Sequence, residues 1–440
     1  MSGNDRVGID GYNLAMPRGT GVATYGYSLA RALQGMGHMV DGLFGLDVGA
    51  EQDTRELLFF DRMGATKRLG RDNRMWWSVA TGLLRSWMAT RMLDVPLSEN
   101  VEKRGFIDRL PAFDRLYSAP YLFELAYAHM TIFGSFLTVT MPDPPEIMHW
   151  TYPLPVRLQG AKNIYTLHDL VPLRLPYATL DDKRYYHRLV RQCVAEGDHI
   201  CTVSEASRAD ILQHFPTSPD KVTNCYQASP VPDEVLASNP DEDARIIEGM
   251  FGLPRNGYLL FFGALDPKKN LDRIIDAYLT SGAEIPLVVV SARDWGMGKP
   301  GALAAPAPGA GRMGGQSGPR RIVQLDYLPR AVLFRLIRTA RAVMFPSLYE
   351  GFGLPALEAI QLGTPVIASN VSSLPEVVGE AGLLVDPYSI SAISQAMTRI
   401  ATDDTLYEQL VVAGLGQAAK FTIPRYQERL AAMYSAVLQP

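Results

Sequence analysis

Short apolar segments alternate with amphipathic helical segments along almost the whole chain of 440 residues. This alternation is typical of parallel sheets that are covered by helices on both faces. A single hydrophobic core stops growing at roughly 250 to 300 residues, so the chain is expected to divide. Candidate strands in the two halves include 146–151, 163–169, 199–204, 258–264 and 342–347. We therefore predict an α/β protein with two doubly wound, Rossmann-like domains.

The two series of segments are separated by a polar, proline-bearing stretch from 227 to 257. Proline and clustered charge are typical of linkers between domains. The sequence predicts an N-terminal domain over 1–227, a C-terminal domain over 228–415, and a final helix over 416–440 that packs back on the N-terminal domain. Residues 296–319 are rich in Gly, Ala and Pro and are predicted to form a loop.

Composition excludes several classes of protein. The net charge of −4 gives no positive field for a nucleic-acid backbone, so nucleic acid is not an expected partner. Three cysteines occur without C-x-x-C spacing, which indicates free thiols in a reducing compartment. The N-terminus lacks a signal-peptide pattern, and the apolar run 125–141 is shorter than the roughly 20 residues of a spanning helix. A cytoplasmic protein, with a buried helix leading into a strand at 125–141, is expected.

The stretch FPSLYEGFGLPALEAI carries two acids, Glu350 and Glu358, separated by seven residues. A strand is predicted before it, and a helix is predicted after it that starts with Pro355 at its first position, where a missing N–H has no cost. Backbone N–H groups at such a helix start bind phosphate oxygens. Carboxylates on either side can accept hydrogen bonds from two polyols, which outlines a nucleotide sugar. For Glu358 alone, a favourable interaction with the helix dipole explains the acid equally well.

The whole string resembles the signature of the retaining glycosyltransferases of family 4. The resemblance continues in order through GVATYGYSLARAL, YTLHDLVPLRLP, CTVSEASRADI, FFGALDPKKNL and ASNVSSLPEVVGEAGLLVDP. It implies the GT-B fold, in which two Rossmann-like domains face a central cleft, an N-terminal domain that binds the acceptor and a C-terminal domain that binds the nucleotide sugar. It also implies sugar transfer with retention of anomeric configuration, with no cofactor and no metal.

The resemblance assigns roles to residues of the glutamate loop. It implies that Glu358 holds the ribose and that Glu350 contacts the donor sugar. The intervening residues, which would meet the diphosphate or the sugar, are Gly351, Phe352, Gly353 and Leu354.

Lys268 and Lys269 lie between a predicted strand and helix, and a lysine pair there is by itself more typical of a solvated turn. The resemblance makes them the cations that stabilise charge on the departing diphosphate. Many relatives carry arginine where this chain has Ala264, and Lys268 is the candidate to replace that charge. His168 follows a predicted strand and matches the family's active-site histidine, where a neutral imidazole could bond a hydroxyl.

Other matches are less specific. The glycine loop Gly19-Thr20-Gly21 lacks the third glycine of a dinucleotide fingerprint, and the resemblance places it at the donor phosphate or sugar. Ser204 and Tyr327 match positions near the phosphate and the base. Residues 241–243, Asp-Glu-Asp, mimic a metal-binding motif but follow a polar linker, so we interpret them as solvated.

Residues 74–93 hold three of the five tryptophans and lie in a region, 62–118, with eleven basic and six acidic residues. One helical face would carry Trp76, Ala80, Leu83 and Trp87, with Arg74 and Arg85 opposite. A basic helix with tryptophans can lie in an anionic membrane interface. A helix that simply covers the N-terminal sheet explains the pattern at least as well.

The sequence predicts a hexosyltransferase, with catalytic residues His168, Lys269 and Glu350, that moves mannose from GDP-mannose to a saccharide or lipid-linked saccharide during surface polysaccharide synthesis. The HDLVPLRLP and SSLPEVVGEAGLLVDP strings are most similar to bacterial mannosyltransferases. A UDP-sugar donor, a sugar-nucleotide epimerase of similar fold and a non-catalytic binder of sugar nucleotides are the alternatives. Its expected location is the cytoplasm, or the inner face of the cytoplasmic membrane.

Overall fold

The computed structural model describes residues 6–16, 21–65, 73–106, 109–228, 231–291, 312–313, 322–326 and 328–439. The strands are β1 (Arg6–Asp10), β2 (Met39–Phe44), β3 (Thr90–Arg91), β4 (Leu93–Val95), β5 (Arg115–Ser118), β6 (Leu137–Thr140), β7 (Ile147–Trp150), β8 (Val156–Leu158), β9 (Lys162–Leu167), β10 (His199–Thr202), β11 (Val222–Asn224), β12 (Leu259–Phe262), β13 (Leu287–Val290), β14 (Arg312–Met313), β15 (Ile322–Leu325), β16 (Ala342–Phe345), β17 (Val366–Ser369) and β18 (Gly382–Val385).

The helices are α1 (Gly21–Gly35), α2 (Gln52–Gly64), α3 (Asn73–Leu83), α4 (Leu122–Phe133), α5 (Val171–Arg174), α6 (Lys183–Glu196), α7 (Glu205–His214), α8 (Asp233–Leu236), α9 (Pro240–Phe251), α10 (Leu271–Thr280), α11 (Arg330–Thr339), α12 (Leu354–Gln361), α13 (Leu374–Val378), α14 (Ile390–Thr402), α15 (Asp404–Ala418) and α16 (Ile423–Leu438).

The chain divides into two compact units by its internal contacts. Unit 1 contains residues 1–173, 181–228 and 423–440, and unit 2 contains 174–180 and 229–422. The C-terminal helix α16 belongs to unit 1, where Gln427 donates a hydrogen bond to the carbonyl of Ala32 in α1. The helix that we predicted over 416–440 begins at Ile423, because residues up to Ala418 complete α15 instead.

Unit 1 has an eight-stranded sheet in the order β11-β10-β9-β7-β1-β2-β5-β4. Its strand pairs are parallel except for β4 with β5. A second small sheet has the order β3-β6-β8. The predicted helix and strand at 125–141 are confirmed as α4 and β6. Strand order reverses between β1 and β7, and the carboxyl edge of a parallel sheet at such a point is where ligands bind.

Unit 2 has a seven-stranded sheet in the order β14-β15-β13-β12-β16-β17-β18. Strands β12, β13, β16 and β17 are buried at every position, as expected when helices cover both faces of a parallel sheet. Strand order reverses between β12 and β16, which makes the carboxyl ends of these two strands the ligand-binding edge. The continuous apolar runs are the reason that the sequence located these strands well.

Two predictions outside the site need correction. Asp243 is not solvated, because it lies buried in the first turn of α9 and forms salt bridges of 3.0 and 3.1 Å with Arg335 and Arg338. In the predicted loop 296–319, residues 312 and 313 pair antiparallel with β15 as β14. The other residues of that loop lie outside the described part of the chain.

The basic segment 74–93 is not one helix. Helix α3 ends at Leu83, so Trp87 lies beyond it, and Leu83 packs inward against the core instead of sharing an exposed face with Trp76. The remaining residues form a turn and then β3. The side chain of Arg74 lies outside the described part of the chain. None of the helices described here is long and apolar enough to cross a membrane.

Candidate functional site

A lysine and a glutamate meet at the strand-order reversal of unit 2. Lys269 ends a 3-10 turn after β12, and Glu350 follows β16. The Lys269 Nζ lies 2.6 Å from Glu350 Oε1, and both side chains are largely buried. The same ammonium group lies 4.6 Å from the centre of the Phe345 ring. Neighbouring parallel strands therefore bring together two residues that are far apart in sequence.

Asn270 holds the lysine turn in place. It adopts a left-handed conformation with φ of 64° and is buried, and its Nδ2 donates to the carbonyls of Pro346 and Pro387 at 3.0 and 2.7 Å. The N–H of Leu348 donates to the carbonyl of Lys268 at 2.8 Å. Asparagine tolerates positive φ better than most residues. This role of Asn270 was not predicted from the sequence, although a position directly after the two lysines suits a turn residue.

The backbone of Glu350 is fixed by two serines that follow β17. Its N–H donates to Ser372 Oγ at 3.0 Å, and Ser373 Oγ donates to the carbonyl oxygens of Glu350 and Phe352 at 3.0 and 2.8 Å. Ser372 has φ of 55°, an uncommon value for a residue other than glycine. The two serines begin the SSLPEVV string, which in the sequence supported only the resemblance to the glycosyltransferase family. In the structure it orients the glutamate loop.

Burial of Glu350 would by itself raise its pKa, but the charges of Lys269 and Lys268 outweigh this effect and lower the pKa below its ordinary value. The carboxylate is therefore ionised at neutral pH although it is buried. An ionised carboxylate accepts hydrogen bonds and donates none. Glu350 is thus suited to hold hydroxyl groups of a ligand.

The loop after Glu350 turns sharply into α12. Gly353 has φ of 107°, which glycine adopts without strain, and a Cβ on it would lie 2.6 Å from Leu374 Cδ2, so a larger residue would also displace the Leu374 side chain. Phe352 is buried against Phe421, with ring centres 5.6 Å apart. A ligand would therefore meet backbone rather than the Phe352 ring at the start of α12, where the helix dipole favours an anion.

Glu358 lies on α12 with its side chain 12% exposed, and its Oε1 is 3.3 Å from a guanidinium nitrogen of Arg330. Burial raises the pKa of Glu358 to about 7, although Arg330 acts in the opposite direction. Arg330 is half exposed, which limits its effect. Glu358 and Glu350 are thus two carboxylates of one loop and helix with opposite pKa shifts, because only Glu350 has two lysines beside it.

A second cluster lies at the carboxyl edge of the sheet in unit 1. His168 follows β9, its Nε2–H donates to the carbonyl of Thr151 at 2.8 Å, and its ring lies edge-on to Tyr25 with centres 4.8 Å apart. Burial lowers the pKa of His168, and this effect outweighs the hydrogen bond to Thr151. The imidazole is therefore neutral at pH 7. Within the described residues, Nδ1 has no hydrogen-bond partner, so it can accept a hydrogen bond from a hydroxyl group.

Asp10 is a candidate site residue that the sequence analysis missed. It ends β1, next to the strand-order reversal of unit 1, and accepts hydrogen bonds from the N–H groups of Thr151 and Tyr12. Burial raises the pKa of Asp10 to about 6. Asp10 and His168 are thus both linked to Thr151. An acid that ends the first strand of a doubly wound domain, in RVGID, was the available signal.

Ser204, which is predicted to lie near the phosphate or the base, caps a helix in unit 1. Ser204 is fully buried at the N-cap of α7, where its Oγ accepts from the N–H of Ser207 at 3.0 Å. Ser207 Oγ in turn donates to the carbonyl of His168 at 2.7 Å. Serine at this position satisfies a helix end. Ser204 therefore caps α7 and, through Ser207, supports the segment that carries His168, and its contact with a donor stays a prediction.

The other predicted site residues are placed as follows. Gly21 is the first residue of α1, whereas Gly19, Thr20 and Tyr327 lie outside the described residues. Gly351 is buried, and Leu354 begins α12. No cluster of metal-ligating side chains is found in the described parts of the chain.

Two family models match separate parts of the chain. Residues 90–226 match the model described as Glycosyltransferase Family 4, and residues 256–403 match the model described as Glycosyl transferases group 1. The first match covers His168 and the second covers Lys269, Glu350 and Glu358.

The similar proteins include bacterial mannosyltransferases. The chain is 33% identical over 274 residues to O-antigen chain mannosyltransferase B of Escherichia coli, covering 61% of this chain and 68% of that protein. It is 26% identical over 280 residues to the serotype-specific mannosyltransferase WbdA of Escherichia coli, covering 62% of this chain and 33% of that protein. Sucrose-phosphate synthase from Thermosynechococcus elongatus aligns over 98% of each chain with a TM-score of 0.61 at 16% identity.

The fold is that of the GT-B class, built from two Rossmann-like domains. Sequence comparison also identifies the family of this chain. The chain belongs to glycosyltransferase family 4 and is homologous to the O-antigen mannosyltransferases of Escherichia coli.

Proposed function

We propose that this glycosyltransferase transfers mannose from GDP-mannose to a saccharide or lipid-linked saccharide acceptor with retention of anomeric configuration and without a metal ion. The observation that carries the proposal is the buried Lys269–Glu350 pair at the strand-order reversal of unit 2, directly before the start of α12. The nucleotide diphosphate binds at this helix start, Glu350 holds the donor sugar and Glu358 holds the ribose diol.

Lys269 and Lys268 favour bond cleavage. As the bond from the anomeric carbon to the phosphate oxygen breaks, the electron pair leaves with the diphosphate, and cations at that point stabilise the transition state more than the ground state. A hydrogen bond to a charged group contributes about 1.5 to 3 kcal/mol, which corresponds to tens to hundreds of fold in rate. The lysines supply the charge that a metal provides in other enzymes.

The acceptor hydroxyl attacks the same face of the sugar that the diphosphate leaves. A bond forms between the acceptor oxygen and the anomeric carbon, and the hydroxyl proton passes to an oxygen of the departing diphosphate. His168, neutral and with Nδ1 available, accepts a hydrogen bond from a sugar hydroxyl and orients it. No protein nucleophile is required in this scheme.

Mannose as the transferred sugar is supported by the similarity to O-antigen mannosyltransferase B, of which this chain covers 68%. A UDP-sugar is the alternative donor. Surface polysaccharide synthesis is the proposed process, with the acceptor at the inner face of the cytoplasmic membrane.

Thermal-shift measurements against GDP, UDP, ADP and their sugars test the donor. GDP and GDP-mannose are expected to raise Tm most, since a ligand at 100 times its Kd adds about 2.7 kcal/mol of stability. Proton NMR of the product then tests retention. Conversion of the nucleotide sugar without any acceptor would instead indicate an epimerase, and binding without hydrolysis or transfer would indicate a non-catalytic binder.

A further inference from the structure

Unit 1 carries an exposed apolar surface on α3, α4 and the turn after α3. Helix α3 packs inward through Met75, Val79 and Leu83 and leaves its tryptophans outward. We define the apolar ridge as Trp76, Trp77, Trp87, Tyr127, Ile132 and Phe133, each between 52% and 85% exposed. Large apolar side chains grouped in this way are uncommon on a free surface and mark an interaction site.

Contacts hold the ridge together. An added Cβ on Gly82 would lie 3.1 Å from Leu125, so α3 and α4 approach closely there. His129 of α4 is 2.7 Å from Ser86 Oγ through its Nδ1, and its ring lies 4.9 Å from that of Phe133. Ser86 precedes Trp87 directly. The tryptophan of the turn is thus fixed beside the exposed end of α4.

The ridge continues into a basic helix face. The rings of Tyr127 on α4 and Tyr185 on α6 lie 4.4 Å apart. Helix α6 buries Leu189, Val190 and Cys193 on its other side. We define the basic face as Lys183, Arg184, His187, Arg188 and Arg191, which together line a surface pocket of about 430 Å³.

Three arginines of the basic face project from α6 without an ion pair in the described part of the chain. Arg184, Arg188 and Arg191 have no salt bridge to any described residue. Asp182 accepts from the N–H groups of Arg184 and Tyr185, so its carboxylate caps the helix. Residues 73–93 contain no acid at all. A helix with surface cations that contacts the ridge through the Tyr127 and Tyr185 rings matches a layer that is anionic outside and apolar beneath.

We infer that the apolar ridge and the basic face form one contact surface for an anionic lipid bilayer. The tryptophan and tyrosine rings enter the interfacial layer, where amphipathic aromatic groups are favoured, and the arginines bind lipid phosphates. A second copy of this chain is a poorer occupant, because a two-fold contact through this surface brings together patches that carry the same sign of charge. Membrane binding through this surface does not depend on the identity of the donor sugar. The surface includes residues of α4 and α6 in addition to the membrane-interface segment predicted at residues 74–93.

Flotation of the full chain with vesicles tests the surface. Vesicles of phosphatidylcholine with phosphatidylglycerol are expected to carry the wild-type protein upward, and vesicles of phosphatidylcholine alone much less. The triple substitution R184Q/R188Q/R191Q is expected to weaken binding about a hundredfold, at about fivefold for each cation. The triple substitution W76S/W77S/W87S should abolish quenching of tryptophan fluorescence by brominated lipid chains.

Matched controls separate these effects from general loss of charge or apolar surface. The variant R255Q/R399Q/R425Q removes three exposed arginines from other helices and loops, and L415S removes an exposed leucine of α15. Both are expected to float like the wild type. Circular dichroism and transfer to a soluble acceptor should be unchanged in all four variants, so failure of the proposed transferase activity would not affect the binding result.

Three results would overturn the inference. Equal binding to neutral vesicles would remove the role of the basic face. Unchanged flotation and quenching of W76S/W77S/W87S would remove the role of the ridge. A dimer in sedimentation experiments that the tryptophan substitutions dissociate, without vesicle binding, would show that the surface joins two copies of the chain.

Discussion

Each unit has a strand-order reversal in its main sheet, but the environment favours charged side chains at the reversal of unit 2 and neutral side chains at that of unit 1. In unit 2, Lys269 and Glu350 at the strand-order reversal form a charged, buried pair, and nearby cations keep the pKa of the glutamate low. In unit 1, Asp10 and His168 lie at the corresponding sheet edge with shifts that both favour the neutral form, because burial raises the pKa of Asp10 to about 6 and lowers that of His168.

The difference shows that burial alone does not decide charge at these sites. Both edges remove the side chains from water, which disfavours ions. Only unit 2 supplies two lysines that compensate for this loss. A diphosphate is stabilised by cations at its site, whereas a sugar hydroxyl can donate a hydrogen bond to an ionised or to a neutral acceptor. The comparison therefore predicts that substitutions in unit 2 act through charge and that substitutions in unit 1 act through hydrogen-bond geometry.

The largest effect is expected for Glu350→Gln, which removes the charge and keeps the shape. We expect kcat/KM for sugar transfer to fall about a hundredfold, since a hydrogen bond to a charged group contributes about 1.5 to 3 kcal/mol. GDP affinity should change little, because the contact proposed for Glu350 is with the donor sugar. Steady-state kinetics and calorimetry with GDP measure the two quantities. Wild-type kinetics in this variant would contradict the role of Glu350.

Lys269→Met provides the matched test of the pair. Removing one partner of a buried ion pair costs about 3 to 5 kcal/mol of folding stability, because the other charge stays buried. The double variant Lys269→Met with Glu350→Gln should recover most of this loss in urea unfolding. If the stability losses of the two single variants simply add in the double variant, the residues do not interact, contrary to what the 2.6 Å contact indicates.

His168→Ala should lower kcat by tens of fold, as expected for loss of one oriented hydrogen bond near the reacting sugar. His168→Asn keeps a group able to accept a hydrogen bond and should recover part of the rate. GDP affinity and the pKa of Glu350 should be unaffected in both, because neither variant changes a charge at neutral pH. A loss of GDP binding equal to the loss of kcat would show that unit 1 acts on the nucleotide instead.

Sequence predicted the strands better than the details of the sites. Continuous apolar runs such as LLFF and AVMF define buried parallel strands, and glycine with proline marked the start of α12. The pairing of Lys269 with Glu350 depends on which strands are neighbours, which local patterns do not encode. The roles of Asn270, Ser372 and Asp10 depend on backbone conformation and on contacts across loops. The role of Ser204 as the N-cap of α7 was not predicted, because a helix cap and a ligand contact require the same hydroxyl group.

The pH dependence of nucleotide binding sharpens the contrast between the two glutamates. If the ionised Glu358 binds the ribose, a pKa of about 7 means that affinity for GDP should fall about tenfold between pH 8 and pH 6. Calorimetry at several pH values measures this, and Glu358→Gln should bind weakly with no such slope. An equal slope in that variant would assign the titration to another group.

The raised pKa of Glu358 also predicts that folding stability depends on pH, with a slope opposite in sign to that of GDP affinity. Since the folded pKa of Glu358 is raised above its ordinary value of 4.5, the protonated form is favoured in the folded state. Its contribution to the free energy of unfolding is fully present below pH 4.5 and is lost as pH rises through about 7. Without ligand, Glu358→Gln should therefore gain stability relative to the wild type as pH rises from 4.5 to 8.

The smallest effect is expected at Ser372, which fixes the glutamate loop from outside the site. Ser372→Ala leaves the N–H of Glu350 without its acceptor, which costs about 1 to 3 kcal/mol for a buried donor, and keeps a side chain at φ of 55°. Ser372→Gly loses the same hydrogen bond but relieves the left-handed conformation, a gain of about 1 to 2 kcal/mol that is partly offset by the entropy of the unfolded chain. The glycine variant should thus unfold at a higher urea concentration than the alanine variant.

Both Ser372 variants should lose only a few fold in kcat/KM, because the Lys269–Glu350 contact still holds the carboxylate. An alanine variant as active and as stable as the wild type would mean that the serines do not orient Glu350, and that the contrast between the units depends on the lysines alone.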